Sequence, residues 1–69
     1  MQPMSLDITK VEARRKELGL TQEEAAKKSK LPGRSYWNDI VSGRRSNITL
    51  EVLDNIARAL NVSARDLIK

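Results

Sequence analysis

The chain is expected to fold as an all-α domain, a compact bundle of five short helices. Three observations predict that class. Apolar residues recur at helical spacing, capping patterns recur at helix starts, and Gly, Pro or Asn stands at the breaks between them. No strand-period run, low-complexity tract or internal repeat competes with this reading. At 69 residues there is room for one small core and no second domain, which excludes most enzyme folds. Residues 1–7 read as an N-terminal arm and 8–69 as the domain.

Ile8, Val11, Arg15 and Leu18 fall at i, i+3, i+7 and i+10 and predict a first helix from Ile8 to Leu18, with an arginine stem at the third place. Gly19 follows directly, where a left-handed closing residue is usual. Thr21-Gln22-Glu23-Glu24 is a capping box. The Thr hydroxyl accepts from the amide three residues on, and the Glu24 carboxylate accepts from the Thr amide. It opens a second helix running to Ser29, whose Ala25 and Ala26 form a small-residue face that admits a close neighbour. Lys30-Leu31-Pro32-Gly33 ends that helix, because the residue before a proline is driven from the helical region.

A third helix is predicted from Arg34 to Ser42. At about 100° per residue, Arg34, Asn38, Ser42, Ser35 and Asp39 occupy an arc from about 0 to 140°, and Tyr36, Ile40, Trp37 and Val41 one from about 200 to 340°. The arcs do not overlap. The helix therefore buries Trp37 and Ile40 and turns a small, hydrogen-bonding face outward, with Tyr36 at the edge of the inner arc. Residues 43–47 read as a loop. Thr49 caps a fourth helix with the apolar stripe Leu50, Leu53, Ile56, Ala57 and Leu60, and Asn61 closes it. Ser63-Ala64-Arg65-Asp66 repeats the capping pattern and opens a last short helix carrying Leu67 and Ile68.

Charge placement narrows the function. The 13 Lys and Arg against 9 Asp and Glu give a net charge of +4. Residues 1–26 hold 4 basic and 5 acidic groups, and residues 46–69 hold 3 of each. Residues 27–45 hold Lys27, Lys28, Lys30, Arg34, Arg44 and Arg45 against Asp39 alone, so 6 − 1 = +5. Clustered cationic charge is the footprint of phosphate binding, the alternative being an ordinary solvated face. With no Cys and no His, disulfides, thiol nucleophiles, imidazole chemistry and zinc sites are excluded. Glu23, Glu24 and Asp66 are explained by capping, and nothing offers a nucleophile with its base, so an enzyme is not expected. Neither is a metal, cofactor or small-molecule ligand. No run approaches the roughly 20 apolar residues of a membrane span, and the first residues lack a signal-peptide pattern. A soluble, cytoplasmic protein without membrane contact is the expectation.

A helix-turn-helix needs a small residue on its first helix, a tight turn, and an apolar inner face on its second helix, whose outer face then enters the major groove. Ala25-Ala26, Leu31-Pro32-Gly33 and the Trp37/Ile40 face supply these parts. Ser35, Asn38 and Ser42 are small enough to permit close approach, and Asn pairs with an adenine edge through two hydrogen bonds.

Taken in order, Leu20 to Ala26, Ser35 to Arg45, Thr49 to Leu53 and Ile56 to Ser63 resemble the Cro/CI-type, or XRE-like, helix-turn-helix repressors, over Val11 to Leu67. The resemblance implies a five-helix, lambda-repressor-like domain with the third helix as recognition helix. It implies a sequence-specific double-stranded DNA-binding transcriptional repressor that works as a homodimer on an inverted repeat. Carried over by position, Arg34, Ser35, Tyr36, Asn38 and Asp39 match residues that face bases and flanking backbone. Gln22 matches a glutamine that contacts a phosphate and braces the recognition helix, and Arg44 and Arg45 match the basic loop that holds phosphates. Lys28, Lys30 and Ser42 complete the expected backbone contacts.

This chain departs from the family pattern in several places. Lys30 stands where glycine is usual, Pro32-Gly33 lengthens the turn by one residue, and the loop before Thr49 has an extra residue. Arg14 replaces an aliphatic. Asp39 occupies a place where basic or polar residues are common, and bracing by a nearby arginine is favoured over acceptance from cytosine N4. The competing class is a protein-interaction module of the same fold, such as an antitoxin or adaptor. Such a module would expose an apolar patch where the basic segment lies.

Overall fold

Four α-helices carry the apolar stripes: α1 (Ile8–Glu17), α2 (Gln22–Lys28), α3 (Arg34–Val41) and α4 (Leu50–Ala59), followed by a 3₁₀ turn at Ala64–Leu67. The computed structural model describes residues 6–45 and 48–68. Residues 1–5 of the expected arm, Ser46 and Asn47 of the expected loop, and Lys69 lie outside the described residues. The described residues contain no strand, only one antiparallel bridge between Leu6 and Ile68.

The expected fifth helix is corrected to that single 3₁₀ turn. The Ser63 hydroxyl makes no capping hydrogen bond, and the Asp66 amide donates to the Ser63 carbonyl at 3.0 Å, a three-residue rather than a four-residue spacing. Ile68 then turns extended, at φ −105 and ψ 136, to face Leu6, while the Asp7 amide donates to the Leu67 carbonyl at 2.7 Å. An α-helical continuation would turn Ile68 away from Leu6. The bridge and a longer helix are mutually exclusive.

The other helices begin where their caps dictate. The Asp7 carboxylate accepts from the Lys10 amide, Thr21 and Glu24 form the reciprocal capping box, and the Thr49 hydroxyl accepts from the Val52 amide at 3.1 Å. Three helix ends close in one manner, with the amide two residues past the C-cap reaching back over the last turn. Leu20 donates to the Arg15 carbonyl, Leu31 to that of Ala26 and Val62 to that of Ala57, at 3.1, 2.9 and 3.0 Å. The left-handed residues that permit these closures are Gly19 (φ 69), Lys30 (φ 59) and Asn61 (φ 57).

Val11, Ala25, Ala26, Trp37, Ile40, Leu53, Ile56, Ala57, Leu60 and Leu67 form one buried core. Ala25 and Ala26, both fully buried, let α2 lie close against α3 and α4, and α1 covers the other flank of α3. Trp37, fully buried, is the largest side chain in that core.

The corner between α2 and α3 carries two local costs. The Ser29 hydroxyl is buried without a partner, and Lys30 holds a left-handed conformation with a Cβ. Relief of about 1–2 kcal/mol at that conformation, less about 0.5–1 kcal/mol for glycine's entropy, gives the expected gain from Lys30→Gly. A higher urea midpoint at unchanged slope is the expected result. A lower midpoint would contradict the geometry of the corner.

Candidate nucleic-acid interface

Gly33 is the N-cap of α3 in extended backbone, and its carbonyl accepts from the Tyr36 and Trp37 amides at 3.1 and 3.4 Å. From there the helix turns Trp37 and Ile40 inward. Arg34, Ser35 and Asn38 are exposed, as is Ser42 just beyond the last turn, whereas Tyr36 and Asp39 are half-buried. Of the polar arc read from the spacing, Arg34, Ser35, Asn38 and Ser42 therefore share one wet face, with Asp39 at its edge. Gln22 opens α2 and is half-buried, and Lys28 and Lys30 are exposed at its far end.

The C-terminal end of α3 gathers five of the singled-out residues. Arg44 Nη1 lies 3.8 Å from Asp39 Oδ1, and the Arg45 amide donates to the Asp39 carbonyl at 3.0 Å. The Ser42 hydroxyl donates to that same carbonyl at 3.3 Å. The Arg45 guanidinium sits 4.1 Å above the centre of the Tyr36 ring. Both loop arginines are thus folded back against α3. The Asp39–Arg44 pair, with Arg44 76% exposed, contributes little to stability and acts by orienting the cation.

A directional brace on α3 comes from α1, through residues that the sequence did not mark as functional. Trp37 Nε1 donates to Glu12 Oε1 at 2.9 Å. Glu12 Oε2 accepts from Arg15 Nη2 at 2.6 Å and from Arg15 Nε at 3.1 Å, and Arg15 Nη1 donates to the Leu20 carbonyl at 2.6 Å. In the sequence Arg15 reads only as a stem in an apolar stripe. The available signal was a carboxylate three residues before it, in a chain whose single tryptophan needs an acceptor when buried. Arg14, the departure from an aliphatic, donates from Nε to the Leu60 carbonyl at 2.9 Å and so satisfies the end of α4.

Burial pushes the Glu12 carboxyl up, but the hydrogen bonds from Arg15 and Trp37 and the charges of Arg15 and Lys16 outweigh it. The group ends below its ordinary value of 4.5. A carboxylate lowered on folding stabilises the native state above its unfolded pKa, and that contribution disappears as pH falls through the folded value. Stability is therefore expected to drop as pH falls below 4.5, with a shallower drop in Glu12→Gln. Urea midpoints across that range measure the difference, and parallel curves would contradict the coupling.

Among the described residues, the large exposed apolar side chains are Leu18 and Leu50, and neither lies in the basic segment. No group of His, Cys, Asp or Glu among them is arranged to hold a metal ion, and no helix is long and apolar enough to cross a membrane.

A family model described as helix-turn-helix matches residues 11–67. Among solved structures, the chain is similar to SinR, the master regulator for biofilm formation, in complex with DNA. The TM-score is 0.77 at 25% identity, over 87% of this chain and 94% of that one. It is also similar to a chain of a SinR–SinI protein complex, with a TM-score of 0.79 at 24% identity over 88% of this chain. There it spans 58% of the other chain's length. No curated protein sequence matches.

Proposed function

Because the chain belongs to the XRE-type helix-turn-helix family, a type of DNA-binding transcription regulator and not an enzyme family, we propose that it is a sequence-specific repressor that sets α3 in the major groove. The observation that carries this reading is the coincidence of two independent features. The uncovered polar face of α3 lies within the one stretch, residues 27–45, that holds the chain's excess positive charge. Its likeness to a regulator solved in complex with DNA supports the same reading.

In this reading Arg34, Ser35 and Asn38 meet base edges, the short side chains allowing the helix axis to approach. Tyr36 and Asp39 border that face and hold Arg45 and Arg44 where the flanking phosphates pass. Gln22, Lys28, Lys30 and Ser42 face the backbone on either side, fixing register without reading sequence. The protein acts as a homodimer on an inverted repeat, with two recognition helices roughly 34 Å apart, one turn of duplex. Sedimentation with the operator should show two chains per site.

Selection of bound sequences from random duplexes supplies the test site. On it, Asn38→Ala or Ser35→Ala is expected to change preference by roughly 1–3 kcal/mol at one or two base pairs, whereas Arg45→Ala weakens every duplex alike. Equal losses for all three variants on every duplex would overturn the assignment of the base-reading face.

A further inference from the structure

We propose that Glu12 is a positioning residue for the recognition helix: by holding the Trp37 indole from behind, it fixes the roll of α3 and thereby the discrimination between duplex sequences. The consequence for DNA rests on the function proposed above. The consequence for helix orientation rests on the geometry alone.

α3 has only eight residues, and few of its anchors are directional. Its N-cap is Gly33, with no side-chain hydrogen bond. Trp37 and Ile40 pack into a core of aliphatic residues, and that burial sets the roll of α3 only to within the breadth of its apolar arc. The bond from Trp37 Nε1 to Glu12 Oε1, 2.9 Å long, is directional and acts at the tip of a rigid ring. Glu12 is itself immobilised by two bonds from Arg15, and Arg15 by the Leu20 carbonyl in the corner before α2. Glu12 and Arg15 side chains are 22% and 13% exposed, so water competes weakly for these groups. The chain of bonds therefore locks α3 to α1 and to the start of the helix-turn-helix.

Such a lock matters unequally to the two kinds of contact. Bidentate base recognition needs geometry held within about 0.5 Å and 10–20°. Long Lys and Arg side chains follow a phosphate through larger displacements. Loss of the lock should therefore lower specific affinity and leave non-specific affinity and its salt dependence in place.

The test uses Glu12→Ala and Trp37→Phe, the latter keeping most of the core volume while deleting the indole N–H. Arg14→Ala is the control, since it removes a bond to the Leu60 carbonyl with no link to α3. All are compared at a temperature where each is folded by circular dichroism. If Glu12→Ala does not fold, Trp37→Phe decides. Residual dipolar couplings of the free protein should show α3 rotated by about 10° or more relative to α1 and α4 in the two test variants and not in the control. The ratio of affinities for the selected duplex and a random duplex should fall about tenfold, the weight of one base contact, with an unchanged salt slope. Couplings that superimpose on those of the parent chain would overturn the proposal, as would an unchanged affinity ratio. A parent chain that prefers no duplex would refute the proposed function instead, and the couplings would still decide whether Glu12 sets the helix.

Discussion

Trp37→Ala is expected to leave the chain largely unfolded at room temperature. The side chain is fully buried in the core of the described residues, and removing a buried aromatic costs about 3–5 kcal/mol through lost transfer energy and the residual cavity. The same change deprives Glu12 of one hydrogen-bond donor. A domain of this length has roughly 3–10 kcal/mol in total, at about 0.05–0.15 kcal/mol per residue. The loss is thus comparable to the whole. Circular dichroism at 222 nm, a property of helical peptide groups, should show a weak signal and no cooperative urea transition. A cooperative transition with a midpoint near that of the parent chain would mean that the helices do not converge on this side chain.

Duplex affinity is expected to fall about a thousandfold between 50 and 200 mM salt. Six phosphate contacts per bound unit, at a slope near −0.9 each, give a log–log slope of about −5. Arg44→Ala combined with Arg45→Ala should flatten that slope by about 2. The folded-back loop acts on affinity at every salt concentration alike, because the Asp39 carboxylate and the Tyr36 ring keep the two guanidinium groups near α3. Less side-chain freedom is then lost on binding. Titrations at four salt concentrations suffice, and a slope near zero would remove the electrostatic basis of the proposed function.

What could be read from the sequence was what is decided locally. Helix spacing, the Thr21 and Thr49 caps, the Gly19 and Asn61 closures and the inward set of Trp37 and Ile40 each depend on residues within a turn or two. The wet face of α3 is legible for the same reason. What escaped depends on partners far along the chain. The last turn is 3₁₀ because Ile68 pairs with Leu6, which is distant in sequence and adjacent in space. Arg14 finds its acceptor 46 residues away and Trp37 finds Glu12 at a separation of 25. The break at Lys30-Leu31-Pro32-Gly33 was legible as a stop from its proline. That Lys30 itself takes the left-handed place follows from how α2 closes on Leu31.

The pairing of Leu6 with Ile68 has a mechanical corollary. The two segments run antiparallel and meet at one bridge, so a pull that drew Leu6 away from Ile68 would load that clasp first. Such a pull would open the bridge and the bond from the Asp7 amide to the Leu67 carbonyl without loading the hydrogen bonds inside the helices. The rim should therefore yield at low force, ahead of the bundle that holds the tryptophan.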